Sequence, residues 1–138
     1  MAREQDWNSS IIEEFRTNVG RVGGNFEGAP LLLLITTGAK TGGERTNPMM
    51  YLDLDGHTYV FASKGGADTN PDWYHNLVAN PRVRVEKGTE TFAAEASVLT
   101  GEEHDRVYAE QAHRYPGFGE YQRGTTRSIP VVELVRVD

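Results

Sequence analysis

Thr46-Asn47-Pro48-Met49-Met50-Tyr51-Leu52-Asp53-Leu54-Asp55-Gly56-His57-Thr58-Tyr59-Val60-Phe61-Ala62 is the stretch that decides the fold. Two β-like runs, Thr46 to Asp53 and His57 to Ala62, flank Asp55-Gly56, a dipeptide suited to the left-handed backbone of a tight hairpin turn. Neighbouring strands are therefore antiparallel at the centre of the chain. Upstream, Leu31 to Thr36 reads as a buried strand, and its apolar run is far shorter than the roughly 20 residues of a membrane span. Downstream, Arg82 to Glu86 and Thr91 to Leu99 form a second hairpin around Lys87-Gly88, and Ile129 to Val137 is a closing strand.

Short helices punctuate these strands. Ile11, Ile12, Phe15 and Val19 recur at helical spacing, with Ser9 or Ser10 as cap and Gly20 to Gly24 as stop. Asn70 with Pro71 opens a helix over Trp73 to Ala79, which Pro81 ends. Thr100 and Glu103 have capping-box spacing for a helix to about His113. No βαβ alternation is visible, which excludes a doubly wound nucleotide fold. The expected class is α+β, mainly β: about six mostly antiparallel strands in a small barrel or roll with helices over its openings.

The chain has 138 residues, 38% hydrophobic and 25% charged, enough for one globular core. A net charge of -6 argues against general nucleic-acid binding, and the lack of cysteine excludes disulfides, thiolate catalysis and cysteine-held metal. The four histidines have no metal-ligand spacing, so no metal site is expected. Without a basic and then apolar leader, a cytoplasmic location is expected.

Against this acidic background two loops stand out. Gly38-Ala39-Lys40-Thr41-Gly42-Gly43-Glu44-Arg45 superficially resembles a phosphate loop, but Leu33 stands where that motif needs glycine and no helix follows. What remains is a loop with cations and backbone donors. Ser63-Lys64-Gly65-Gly66 adds a hydroxyl, a cation and two permissive glycines between a strand and a helix start, where anions are favoured. A third segment, Tyr115-Pro116-Gly117-Phe118-Gly119-Glu120-Tyr121, reads as an aromatic loop suited to a flat, apolar substrate.

Taken in order, Thr37-Gly38-Ala39-Lys40-Thr41-Gly42, Arg45, Asn47-Pro48, Ala62 to Gly66, Asn70 to Leu77, Ala79-Asn80-Pro81 and the ending Tyr121-Gln122 through Arg127 to Val131 resemble the deazaflavin-dependent nitroreductase family. The resemblance covers nearly the whole chain from about Ile11. It implies a split β-barrel over residues 25–138, preceded by a helix and linker over 1–24, as a single cofactor-binding domain. It also implies coenzyme F-420, an 8-hydroxy-5-deazaflavin with an oligoglutamate tail, an actinobacterial source, and reduction of quinones, nitro compounds or similar acceptors.

By motif position, the resemblance assigns Lys40, Arg45 and Lys64 to the phosphate and tail, and Thr41, Thr46, Asn47 and Pro48 to the cofactor channel. Ala62, Ser63, Gly65 and Gly66 meet the ring, and Pro71, Trp73 and Asn76 shape its wall. Met50, Tyr115, Phe118 and Tyr121 face the substrate, with Ser63 and Tyr121 as hydrogen-bond or proton donors. Two positions depart from the family pattern: Ala39, often basic, and Phe118, usually tyrosine. The alternatives are a non-catalytic deazaflavin or hydrophobic-ligand carrier, and an FMN-binding split barrel. The expected partner is a small-molecule electron acceptor. Peripheral contact with the inner membrane through the first helix, and a homodimer, stay open.

Overall fold

Asp55 and Gly56 both adopt positive φ, 54° and 83°, and Leu54 pairs with His57 across them. A two-residue turn of that kind matches the right-handed twist of its strands and fixes their register. The hairpin belongs to a computed structural model that describes residues 2–17, 30–39, 42–63, 70–125 and 128–137, with 2–9 as backbone only.

Six strands run β1 (Leu31–Thr37), β2 (Glu44–Leu54), β3 (His57–Phe61), β4 (Arg82–Lys87), β5 (Glu90–Val98) and β6 (Val131–Arg136). Every pair is antiparallel, and the order β1-β2-β3-β6-β5-β4 closes on itself through β1 and β4. The described helices are α1 (Ala2–Thr17), α2 (Asp72–Ala79), α3 (Gly101–Arg114) and α4 (Gly117–Arg123).

Because strand side chains alternate between faces, each strand serves two layers. Leu32 and Leu34, Val60, Val83 and Val85, and Val132 and Leu134 fill the interior, and Trp73 and Leu77 of α2 join them. On the outer face, Leu31 and Leu33 lie under Phe15 of α1. Leu52, Tyr59, Phe61 and Val131 lie under Val107 and Tyr108 of α3 and Phe118 of α4. Arg16 pins α1 to β4 through a two-pronged pair with Glu86 at 3.0 and 2.6 Å.

Several local expectations shift. Ser9 and Ser10 lie inside α1 and not at its start, because Ala2 to Asn8 contains no breaker and extends the helix upstream. Pro71, not Asn70, is the N-cap of α2, so the helix begins one residue later than the sequence signal. Thr100 does cap α3, but without a side-chain hydrogen bond, so no capping box forms. The second hairpin turns on Gly88-Thr89, since Lys87 pairs with Glu90 and the positive φ falls at Gly88.

The largest correction concerns Gly117 to Arg123, a helix and not a loop. Pro116 sits before its first turn, a position that proline tolerates, and Phe118 and Tyr121 fall on one helical face.

Candidate functional site

The outer face of β2 is shared between two helical layers. Register places Thr46 opposite Ile35, Pro48 opposite Leu33, and Met50 opposite Leu31, so these three point outward. Met50 packs both with the α1 layer and with the α3–α4 layer. Asn47, opposite Leu34, points to the other face, as Met49 does beside the interior cluster. The strand therefore separates Asn47 from Thr46 and Pro48.

β2 and β3 are paired only from Tyr51↔Val60 to Leu54↔His57. Residues 44–50 pair with β1 alone among the described strands, and the Ala62 N–H bonds the Pro130 carbonyl at 3.0 Å beside β6. The sheet is thus split there, with Thr46 to Met50 on one lip and Ala62 and Ser63 on the other. Pro48 is tolerated in this stretch because a residue without N–H needs a side free of ladder partners.

At the end of the barrel beneath α2, Asn76 is buried and both its amide atoms are bonded. Its Nδ2 donates to Thr36 Oγ1 at 3.2 Å, and its Oδ1 accepts the Ala39 N–H at 3.0 Å. Asn80 adds a donation to the Thr37 carbonyl at 3.4 Å. Pro71 and Trp73 are buried at the same end. These residues hold the β1–β2 loop in place.

The loop itself is less open than its composition promises. Gly38 N–H bonds the Gly43 carbonyl at 2.7 Å and Gly42 N–H the Gly38 carbonyl at 3.0 Å, so with Ala39 three donors are spent within the fold. Gly42 adopts φ 73°, and a Cβ there would meet nothing within 4 Å; its role is the turn, not close approach to a ligand. Attraction for an anion falls to side chains such as Arg45, which is exposed and donates to the Glu44 carbonyl at 3.2 Å. Lys40, Thr41, Lys64, Gly65 and Gly66 lie outside the described residues.

Met50, Tyr115, Phe118 and Tyr121 do come together, around one cluster beneath α3 and α4. Phe118 is buried, with its ring edge-on to Phe61 at 5.7 Å and to Tyr121 at 5.3 Å. Tyr108 Oη donates to the Phe118 carbonyl at 2.6 Å. Tyr115 and Tyr121 are half-buried at the border of the cluster. Ile129, just before β6, is held by both helices: Gln122 Oε1 of α4 accepts its N–H at 2.9 Å, and His104 Nε2 of α3 donates to its carbonyl at 2.7 Å.

Two features escaped the sequence. Gln111 is wholly buried on the face of α3 that carries Val107 and Tyr108, and neither polar atom of its side chain has a partner among the described residues. Leaving such a group unpaired costs about 1–3 kcal/mol. The recurrence Val107, Tyr108, Gln111, Ala112, Tyr115 at helical spacing was the available signal. Near Tyr115, the phenol of Tyr51 is raised above its ordinary value by burial, then by Asp53 and Tyr115. Lys87 Nζ lies 4.8 Å from the centre of the Tyr51 ring and 2.8 Å from Asp53 Oδ1.

The residues present fit a flat ring with an anionic tail. Along the outward face of β2, Thr46, Pro48 and Met50 lead to buried, aromatic-bordered Leu52 over roughly 20 Å of extended strand, and exposed Arg45, opposite Thr36 and so on the face of Asn47, stands at the loop end. Charge at one end and apolar surface at the other suit one long ligand better than a compact one.

Comparison with known proteins agrees. The family model "F420H(2)-dependent quinone reductase" matches residues 7–136. An F420H(2)-dependent quinone reductase of Mycobacterium tuberculosis is 43% identical over 132 residues, covering 88% of this chain and 85% of that protein. The solved F420-H2 dependent reductase FDR-A superposes with a TM-score of 0.70 at 40% identity, over 76% of this chain and 93% of its own. A chain described as a domain-swapped dimer reaches 0.72 at 35% identity, over 95% and 98%.

Proposed function

This chain belongs to the F420H(2)-dependent quinone reductase family, an oxidoreductase family that uses coenzyme F-420, and we propose that its acceptor is a quinone held against the α3–α4 layer. Family membership selects the deazaflavin over FMN and a reductase over a passive carrier. The observation that carries the acceptor site is the convergence of Met50, Tyr115, Phe118 and Tyr121 on one apolar cluster beside the split.

When bound in reduced form the deazaflavin supplies a hydride, and a quinone that takes up this hydride and one proton becomes the hydroquinone. The outward side chains of β2, Thr46, Pro48 and Met50, form the wall along which the cofactor lies. Arg45, with Lys40 and Lys64 from the two loops, holds its anionic end, and Thr41 lines the channel. Asn47, Pro71, Trp73 and Asn76 act behind this wall, fixing the loop and the barrel end. Ala62 and Ser63 form the opposite lip, and Gly65 and Gly66 are assigned to the ring by motif position alone. Aromatic rings of α4 exclude water and orient the acceptor face, which contributes through positioning. The hydroxyls of Ser63 and Tyr121 donate to the acceptor oxygen as negative charge develops on it.

Phe118 cannot share that duty. It lacks a hydroxyl and its ring is buried between Phe61 and Tyr121, so donation at its position is lost and nitroimidazole compounds should be poor acceptors.

A cytoplasmic location and a single domain over residues 1–138 fit this reading. Among the described residues no helix is long and apolar enough to cross a membrane. Ile11, Ile12 and Phe15 of α1 are packed on Leu31 and Leu33, so membrane contact through that face would require α1 to undock. The domain-swapped relative supports a homodimer, which the molar mass in solution tests.

The direct test mixes purified protein with reduced coenzyme F-420 and menadione. Oxidation of the cofactor that saturates in both reactants supports the proposal. Absence of both binding and oxidation removes it.

A further inference from the structure

α3, α4 and β3 all reach the residues that lead into β6, Ile129 and Pro130. Gln122 Oε1 of α4 accepts the Ile129 N–H at 2.9 Å, and His104 Nε2 of α3 donates to the Ile129 carbonyl at 2.7 Å. The Ala62 N–H, just past β3, bonds the Pro130 carbonyl at 3.0 Å. Ile129 is fully buried and precedes β6, whose pairing with β3 begins at Phe61↔Val131, while Pro130 has no N–H to give. A buried backbone N–H outside a ladder needs a partner, and a side chain of α4 supplies it.

α4 depends on this contact in turn. Its seven residues, two of them glycine, are too few to hold a helix by themselves. Tyr108 Oη fixes the first turn through the Phe118 carbonyl at 2.6 Å, and Gln122 ties the last turn to the barrel. Tyr121 stands between these two anchors, next to Gln122, and Ser63 directly follows Ala62. A short path of covalent and hydrogen bonds therefore joins the two hydroxyl-bearing residues: from Tyr121 to Gln122, across to Ile129-Pro130, and across again to Ala62-Ser63.

We propose that Gln122 is a positioning residue of the reduction, setting Tyr121 of α4 against the lip that carries Ser63 through the Ile129-Pro130 bridge. The inference rests on the two donors proposed above and adds what keeps them in one arrangement. A hydrogen bond to developing negative charge loses its effect with a displacement of about 1 Å, so a loosened Tyr121 slows the chemical step without weakening cofactor binding.

The test is a double-mutant cycle on kcat with menadione. Gln122→Leu, which removes the acceptor, should lower kcat by about 10-fold, and Gln122→Glu, which keeps an acceptor oxygen, should recover most of it. In a Tyr121→Phe background Gln122→Leu should cost less than about 2-fold, because a misplaced ring without its hydroxyl has little left to lose. Cofactor affinity, read by fluorescence, should stay unchanged. Hydrogen exchange supplies a readout without turnover: in Gln122→Leu the Ile129 and Ala62 amides should both exchange faster, while the β4–β5 hairpin keeps its wild-type rates.

A kcat that Gln122→Leu leaves unchanged, a Gln122→Glu enzyme as slow as Gln122→Leu, or an unaltered Ala62 exchange rate overturns the proposal. Where Tyr121→Phe by itself slows the enzyme, an equal loss from Gln122→Leu in both backgrounds overturns it too. If Gln122→Leu does not fold, Gln122→Met replaces it. A Tyr121→Phe enzyme as fast as wild type removes Tyr121 from the donor role instead, and the Leu and Glu variants with the Ala62 rate then judge Gln122 separately.

Discussion

Asn76 of α2 donates through Nδ2 to Thr36 Oγ1 of β1 at 3.2 Å, a buried hydrogen bond that joins the helix at the barrel end to the strand that leads into the cationic loop. Its other amide atom holds the Ala39 N–H, so one side chain fixes strand and loop together. Replacing Asn76 with Leu removes both bonds and leaves the Ala39 N–H without its partner. We expect a loss of about 1–3 kcal/mol in unfolding free energy by urea titration. Cofactor affinity, followed by fluorescence, should fall as the loop carrying Lys40 loses its anchor.

Arg45 presents the opposite case. It is exposed and bonds only a neighbouring carbonyl in the described structure, so Arg45→Ala should change stability by less than about 0.5 kcal/mol. Cofactor binding should weaken, and the gap between wild type and variant should narrow as salt is raised. Titrations at two ionic strengths check both statements; a salt-independent gap would exclude a charge role.

Tyr121→Phe keeps the ring that meets Phe118 at 5.3 Å and deletes the hydroxyl. The expected result is a fall in kcat of about 100-fold with a nearly unchanged melting temperature. Steady-state rates with menadione measure it, and an unaltered kcat would leave Ser63 as the donor to examine.

At Gly119 an added Cβ would lie 3.7 Å from Ala112 Cβ, an ordinary contact, and 3.3 Å from Arg123 Nη1, the movable end of a long side chain. Gly119→Ala should therefore stabilise the protein by about 0.5 kcal/mol, through the helical preference of alanine over glycine. A larger branched residue must push α4 away from α3, and Gly119→Val should lower the melting temperature.

Tyr51 makes the alkaline limb of stability sensitive to its surroundings. Burial, aided by Asp53 and Tyr115, raises the phenol above the ordinary value of about 10. The native state then holds its proton to higher pH than the unfolded chain. That contribution is complete below about pH 10 and is lost as pH rises through the folded value. Tyr51→Phe removes the linkage, so its melting temperature should fall less steeply than that of wild type above pH 10.

The barrel was legible because its signals are local and strong. Asp55-Gly56 fixes one hairpin, and the alternation of β4, Arg82-Val83-Arg84-Val85, sorts its residues between faces, while the unbroken apolar run of β1 marks a strand covered on both sides. Gly117 to Arg123 was not legible, since two glycines in seven residues read as a loop until packing against Ala112 and Phe61 is supplied by the fold. The site was legible by motif order more than by physics. Glycines around Gly42 looked like ligand-facing donors, yet their N–H groups close the loop on itself. Helical spacing with Val107, Tyr108 and Tyr115 could place Gln111 on the buried face of α3, but not the surroundings of its side chain, which are defined by its neighbours and not by its position in a helix.

The alternation of β2 has a consequence for how this protein can change. Thr46, Pro48 and Met50 meet what lies outside the barrel, while Met49 and Tyr51 are anchored in the filling of its interior. On the proposed cofactor wall, ligand preference and structural integrity fall on alternate letters of one strand. A lineage, or a library that varies only the outward letters, can retune the wall for a new molecule while the inward letters preserve the framework.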